Sequence, residues 1–210
     1  MTTTTPQPTT QPKPVRDNTL HHLVTALIYT VVSIVVFGIV YPLVLTGIAL
    51  VVFPAQANGS LVYVNGKPVA SSIIGQLWTK PQYFQGRPSA AGKGYDPTST
   101  GATNLGPTSK KLIASTRDTI KALKKANPDA TVPVPMDLVT SSASGIDPDI
   151  SPEAAYYQVP RIAKARDRSI DSVNAIVAKY IHGRTWGFLG EPHVNVLELN
   201  LALDGKTQGP

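Results

Sequence analysis

The chain has 210 residues, a formal charge of +6, 42% hydrophobic residues and only 15% charged ones, where about 25% is usual. With a mean hydropathy near zero, so few charges point to a membrane-attached protein. There is no Cys, which excludes a disulfide scaffold, a thiolate nucleophile and any zinc or iron–sulfur site built on Cys.

Residues 1–18 (MTTTTPQPTTQPKPVRDN) are Thr/Pro/Gln-rich low complexity. Such a segment cannot bury a core and is expected to be a disordered cytoplasmic tail. Between Asp17 and Lys67 there is no Asp, Glu, Lys or Arg, and within that gap Leu23 to Phe53 is almost wholly apolar. A span needs about 20 apolar residues to cross roughly 30 Å of hydrocarbon. The run is long enough to cross once and too short to cross twice. Pro42, after the interfacial aromatic Tyr41, predicts the end of the membrane helix. The segment divides into a transmembrane helix over 19–42, with Leu23, Leu27, Val31, Val35, Ile39 and Tyr41 on it, and a membrane-proximal connection over 43–59. A cleaved signal peptide is the competing reading. Its apolar region would be about half as long, and Pro54 is wrongly placed for cleavage near Ala55–Ala57. A buried core helix is excluded because the run is apolar on every face.

Lys13 and Arg16 precede the helix, and no basic residue follows it until Lys67. The positive-inside rule puts the N-terminus in the cytoplasm and the remainder outside. Residues 60–210 then form one extracytoplasmic domain. SLVYV at 60–64, Asn65-Gly66 and KPVA predict a β-hairpin with a two-residue primed turn. Residues 71–79 are ambiguous. Residues 80–108 hold five Gly and four Pro and read as a long loop, of the kind that is functional or disordered. Tyr83 and Phe84 beside Arg87 favour a packed, partner-facing loop. Their mix of aromatic area and a forked donor is that of interface anchors.

Three helices are expected next. The first is capped by Thr108 or Ser109 and stops at Asn127-Pro128, with Lys110, Lys111, Lys121, Lys124 and Lys125 on a solvated face. The second has Ser151 as cap, Pro152 at its first position and Glu153 at its positive end, with Pro160 kinking it. The third is capped by Ser169 and closes at Gly183. In HVNVLELNLALD, Leu197, Leu199, Leu201 and Leu203 alternate, which predicts a half-buried strand. The fold class is α+β: one N-terminal transmembrane helix, then a domain with a small, mostly antiparallel sheet and about three helices.

Chemical motifs are sparse. There is no Walker-type phosphate cradle, and Asp204-Gly205-Lys206-Thr207 fails to match the phosphorylation motif of ion-pumping ATPases. His182 and His193 lack metal-ligand spacing. Asp147, Asp149 and Glu153 cluster where a helix entry needs capping. The outer region carries 17 Lys/Arg against 12 Asp/Glu without an aromatic-interleaved basic run, which excludes nucleic acid as a partner.

Seven blocks fall in order: VFPAQANGSL at 52–61, IGQ at 74–76, YFQGRPSA at 83–90, TNLG at 103–106, LVTSSASGIDPDISP at 138–152, PRIAKAR at 160–166 and GEPHVNVLELNLALD at 190–204. Together the chain resembles the C subunit of the Kdp-type potassium-transporting ATPase from about residue 20 to 204. The Thr/Pro/Gln tail departs from the shorter N-termini of that family. The resemblance implies a non-catalytic accessory subunit in a prokaryotic cell membrane. Its partners would be a channel-like potassium-binding subunit, a P-type ATPase subunit, a small single-helix subunit and the lipid bilayer. It implies ATP as a ligand whose binding by the ATPase subunit is assisted. A domain outside the cytoplasm cannot touch cytoplasmic nucleotide, so either the effect passes through the membrane helix or the orientation is reversed. Tyr83, Phe84, Arg87, Asn104 and Asp147 are the expected partner-interface residues. A membrane-anchored extracytoplasmic hydrolase is the alternative reading; it would need a nucleophile–base pair, of which the sequence carries no local signature.

Overall fold

The computed structural model describes residues 18–206. The expectation for the Thr/Pro/Gln tail, including Lys13 and Arg16, lies outside the described residues. The chain divides into two units, residues 1–57 and 58–210.

The first unit is a helical run over Thr19–Val52, 34 residues with a mean hydropathy of 2.6 and no part buried. Asn18 starts it by accepting a hydrogen bond from the His21 amide. α1 (Thr19–Ser33) passes into seven π-helical residues, Ile34–Val40, and then into α2 (Tyr41–Val52). Pro42 therefore does not end the helix as the sequence suggested. A proline ring collides with the carbonyl four residues back, here Gly38, and donates no hydrogen bond. The wider ladder just before it takes up that misfit: the Tyr41 amide bonds Val36, five residues back. Thr30 returns its hydroxyl to the Ala26 carbonyl at 2.8 Å, which satisfies a polar group inside an apolar run. The helix ends at Phe53, whose φ of −132° is non-helical, as the residue before a proline prefers. A short turn, α3 (Pro54–Ala57), follows. At 1.5 Å per residue the run is about 51 Å long, well beyond the roughly 30 Å of hydrocarbon.

The second unit opens with the expected hairpin, β1 (Leu61–Val64) and β2 (Lys67–Ser71), antiparallel with a bulge at Val62/Tyr63. Asn65 and Gly66 both have positive φ, 53° and 73°, as a primed turn demands. Residues 72–109 contain no helix or strand. α4 (Lys110–Ala126) is capped by the Ser109 hydroxyl and stops at Asn127. It buries none of its residues fully, and its five lysines are exposed. β3 (Asp149–Ile150) leads into α5 (Pro152–Ala165), where the Ser151 hydroxyl accepts from the Ala154 amide at 3.0 Å and Pro160 lies within the helix. α6 (Ile170–Lys179) is capped by Ser169. It stops four residues before Gly183, because Ile181 and His182 form β4 (Ile181–His182) against β5 (His193–Asn195). The sheet order is β3-β5-β4, and both pairings are antiparallel.

The C-terminal segment overturns the expectation of a strand and brings a fourth longer helix to the domain. It is α7 (Val196–Leu203). The alternating leucines are two interleaved stripes four residues apart. Leu197 and Leu201 pack with Val62 of the hairpin. Leu199 and Leu203 enter the main core with Tyr157, Ile162, Val173 and Val177. A helix buried on two faces loses the single apolar stripe that periodicity detects. Asn195 caps it by accepting from the Glu198 amide at 3.2 Å.

Candidate functional site

The candidate site is the irregular segment 72–106 and what holds it. Fifteen or more residues without regular structure carry many backbone groups that no ladder satisfies. Here side chains of α5 and α7 satisfy them. Asn200 Nδ2 donates to the Phe84 carbonyl at 2.9 Å and its Oδ1 accepts from the Phe84 amide at 2.8 Å. Gln158 does the same for Gln85, at 3.0 and 2.8 Å. Each amide thus stands in for one residue of a neighbouring strand.

Arg161 of α5 and Arg166, which caps the C-terminal end of that helix, complete the clamp. Arg161 is buried; it donates to the carbonyls of Pro81 and Tyr83, to Asn127 Oδ1 at 2.9 Å and to Gln158 Oε1 at 2.8 Å. Burial pulls its guanidinium down to about 10, so it stays charged at neutral pH. Arg166 donates to the Gln82 carbonyl at 2.7 Å, the Leu203 carbonyl at 3.0 Å and Asp204 Oδ1 at 2.7 Å. It also lies 5.0 Å from the centroid of the Tyr83 ring, within cation–π range. Burial would raise the Asp204 carboxyl, but hydrogen bonds from Arg166 and Tyr83 and the charges of Arg166 and Lys206 outweigh it and hold it below the ordinary carboxylate range.

Further along, Arg87 pairs with Asp147 at 3.1 Å, each side chain about a quarter exposed, and also donates to Thr140. The Tyr95 hydroxyl donates to the Arg87 carbonyl at 2.6 Å. Burial, aided by the Asp147 charge, pushes Tyr95 up to about 12. Its ring, with the Asp147 carbonyl, fills the space that a Cβ would need at Gly75, and its hydroxyl fills that space at Gly86. Gly145, at φ 72°, lets the 138–147 segment close on the Ala91 amide. The result is an open cleft of about 730 Å³ lined by Trp78, Arg87, Ser89, Lys93, Tyr95 and Leu123 among others.

Of the residues singled out from sequence, Arg87 and Asp147 meet directly. Tyr83 sits beside Trp78, ring centroids 4.7 Å apart, and donates to Asp204 at 3.0 Å. Asn104 is exposed, with a φ of 51°, and joins none of the others. Phe84 is no surface anchor: its side chain is fully buried in the main core, because Asn200 and the α5 clamp draw the loop inward. His182 and His193 are register partners with stacked rings 5.5 Å apart. Among the described residues no group of three or more His, Asp or Glu is placed to hold a metal. Sequence reasoning missed Gln158, Arg161, Arg166 and Asn200 as the clamp. Arg161 lies between the apolar Val159 and Ile162, and a charge in a core stripe signals a need for partners.

The cleft does not fit a nucleoside triphosphate. Arg87 is committed to Asp147 and Thr140, and Lys93 is the other cation of the lining. The α4 residues there, Thr119 to Ala126, belong to the C-terminal half, whose dipole repels phosphate.

The family described as KdpC, K+-transporting ATPase c chain, matches residues 23–205. A potassium-transporting ATPase KdpC subunit of Koribacter versatilis is 48% identical over 190 residues, covering 90% of this chain and 97% of that protein. One of Acidobacterium capsulatum is 50% identical over 185 residues, 88% of this chain and 98% of the relative. One of Dechloromonas aromatica is 52% identical over 170 residues, 80% and 89% of the two.

Proposed function

The chain belongs to the KdpC family of potassium-transporting ATPase subunits, and on that premise we propose that it is a non-catalytic accessory subunit that biases the pump's conformational cycle. The clamp carries this reading. Two arginines and two amides turn a long irregular segment into a surface of fixed shape, which suits recognition of a partner better than turnover of a substrate.

The charges of Lys13 and Arg16 favour a cytoplasmic N-terminus and an outer second unit. In that orientation ATP is not touched by this chain. Its effect on nucleotide affinity is allosteric, equal to the difference in its affinity for two pump states. A coupling of about 1–3 kcal/mol changes affinity roughly 5–150-fold. The exposed edges of Tyr83, Arg87, Asn104 and Asp147 meet the channel-like potassium-binding subunit, and the apolar run crosses the bilayer beside the P-type ATPase and single-helix subunits.

The test is reconstitution. A pump lacking this chain is expected to regain potassium-stimulated ATP hydrolysis when the full chain is added back. A full rate without it leaves only a role in assembly. Orientation is read separately: a Cys at Ser99 should react with an impermeant maleimide on intact cells, and one at Thr9 should not. The reverse pattern overturns the allosteric route.

A further inference from the structure

Between β4 and β5 the second unit extends a small lobe, Gly183–Gly190, that sequence reading passed over. Its backbone closes on itself. Thr185 and Leu189 exchange both amide–carbonyl hydrogen bonds, at 2.9 and 3.0 Å, and the Gly187 amide bonds the Arg184 carbonyl at 3.0 Å. Trp186 and Gly187 hold positive φ, 54° and 82°, a conformation bulky residues seldom adopt. The turn thereby drives the large side chains outward: Trp186 is 81% exposed, Phe188 67% and Leu189 46%. Trp186 and Phe188 lie 6.4 Å apart, a single aromatic knob. Its one cation, Arg184, is neutralised by Glu191 at 2.6 Å.

We propose that this lobe inserts into the interfacial layer of the lipid bilayer as a second, reversible membrane contact. The inference rests on Thr19–Val52 being a membrane span. A chain that crosses the bilayer holds its second unit at high effective concentration near lipid, where a weak contact is populated. Trp with Phe and Leu is the composition that settles between headgroup and acyl chain. The lobe is too small to form a stable protein interface alone, which takes about 20–30 residues a side, whereas a fluid bilayer needs no complementary surface. Because Arg184 is paired, the contact depends on apolar burial rather than on anionic headgroups.

The sequence has two tryptophans, Trp78 and Trp186, and no Cys, so the test can be made on the full chain. Reconstituted in neutral phosphatidylcholine vesicles, wild type minus Trp186→Phe isolates the Trp186 emission. That emission is expected to be blue-shifted, lost in brominated lipid and untouched by acrylamide. Quenching by acrylamide with indifference to brominated lipid overturns the proposal. Should Trp186→Phe reconstitute poorly, a fluorophore on Phe188→Cys read against lipid-borne and aqueous quenchers gives the same discrimination. Shielding from both quenchers only in the assembled pump assigns the lobe to a protein partner and also overturns it. Flotation with vesicles after alkaline carbonate reports the span by itself, so failure of the anchor and failure of the lobe are told apart.

Discussion

Segments 80–106 and 183–190 are both irregular, and both set aromatics beside glycines. Yet Phe84 is fully buried in the core while Trp186 stands almost free in solvent. Local composition does not separate them. The difference lies in what the rest of the chain sends to meet each. The first receives Gln158, Arg161, Arg166 and Asn200, from 73 to 116 residues away for the bonds to Phe84 and Gln85. The second bonds only to itself and, through Arg184, to Glu191. A loop becomes part of a core when distant side chains complete its backbone hydrogen bonds. Without that, its apolar groups remain available to whatever lies outside.

The comparison is most severely tried at Phe84. Phe84→Ala should cost about 3–5 kcal/mol, lowering the midpoint of thermal unfolding by roughly 6–20 °C. A change below 1 °C by circular dichroism would place the ring outside the core. Arg161→Met comes next. It leaves two loop carbonyls, Asn127 Oδ1 and Gln158 Oε1 short of a donor, and should cost about 3 kcal/mol. Amide exchange should then accelerate at Phe84 and Gln85 and not at Val173 or Val177.

A smaller effect is pH-dependent. The Asp204 carboxyl is held below its ordinary range, so its contribution is fully present above about pH 4, the unfolded value, and fades as pH falls toward the lower folded value. Asp204→Asn should cost about 1–2 kcal/mol at neutral pH and flatten the acid limb of the stability curve; an unchanged acid limb would show that Arg166 holds Tyr83 without it. Tyr95 works in the opposite direction. Its folded value of about 12 lies above the ordinary 10, so its stabilisation is complete below pH 10 and is lost between 10 and 12. Tyr95→Phe should cost about 1 kcal/mol and remove the most alkaline step from the tyrosinate titration at 295 nm. The smallest change is expected at Trp186. Trp186→Ala should alter stability by no more than about 0.5 kcal/mol, whereas a loss comparable to that of Phe84→Ala would make the lobe part of the fold.

Much of the fold was legible because its signals are local. Ser151 and Ser169 cap the helices they were expected to cap, Ser109 is the one of the pair Thr108 and Ser109 that caps α4, and Asn65-Gly66 makes the turn its conformational freedom predicts. The apolar run, long and free of charge, announced the long apolar helix of Thr19–Val52. What stayed hidden depends on burial geometry. The leucines of α7 alternate in sequence, and only their contact with two separate clusters reveals a helix. Asn195 with Glu198 three residues on was a helix-start signal that the alternation outweighed. Arg87 and Asp147 were singled out and do meet, but Phe84 was assigned to the surface because aromatics near arginine suit interfaces and cores equally. The clamp residues escaped because their role is defined by backbone groups far away in sequence.

The π-helical turns before Pro42 carry a consequence of their own. Leu23, Leu27, Val31, Val35 and Ile39 are four apart, so in an unbroken α-helix of 3.6 residues per turn their row would drift around the axis by about 40° at each step. Over Ile34–Val40 each hydrogen-bonded ring takes in one more residue. A four-residue step there no longer overshoots a full turn, so the drift is checked, and Val35 and Ile39 stay nearer the azimuth of Val31 than a continuous α-helix would keep them. The helix is thus a rod with its grain turned partway along: the azimuth it offers a neighbour beside α1 is not the azimuth it offers beside α2. The relative azimuth of the faces of α1 and α2 is set by the π-helical turns, and a shift of the ladder back to four-residue rings would rotate one face against the other.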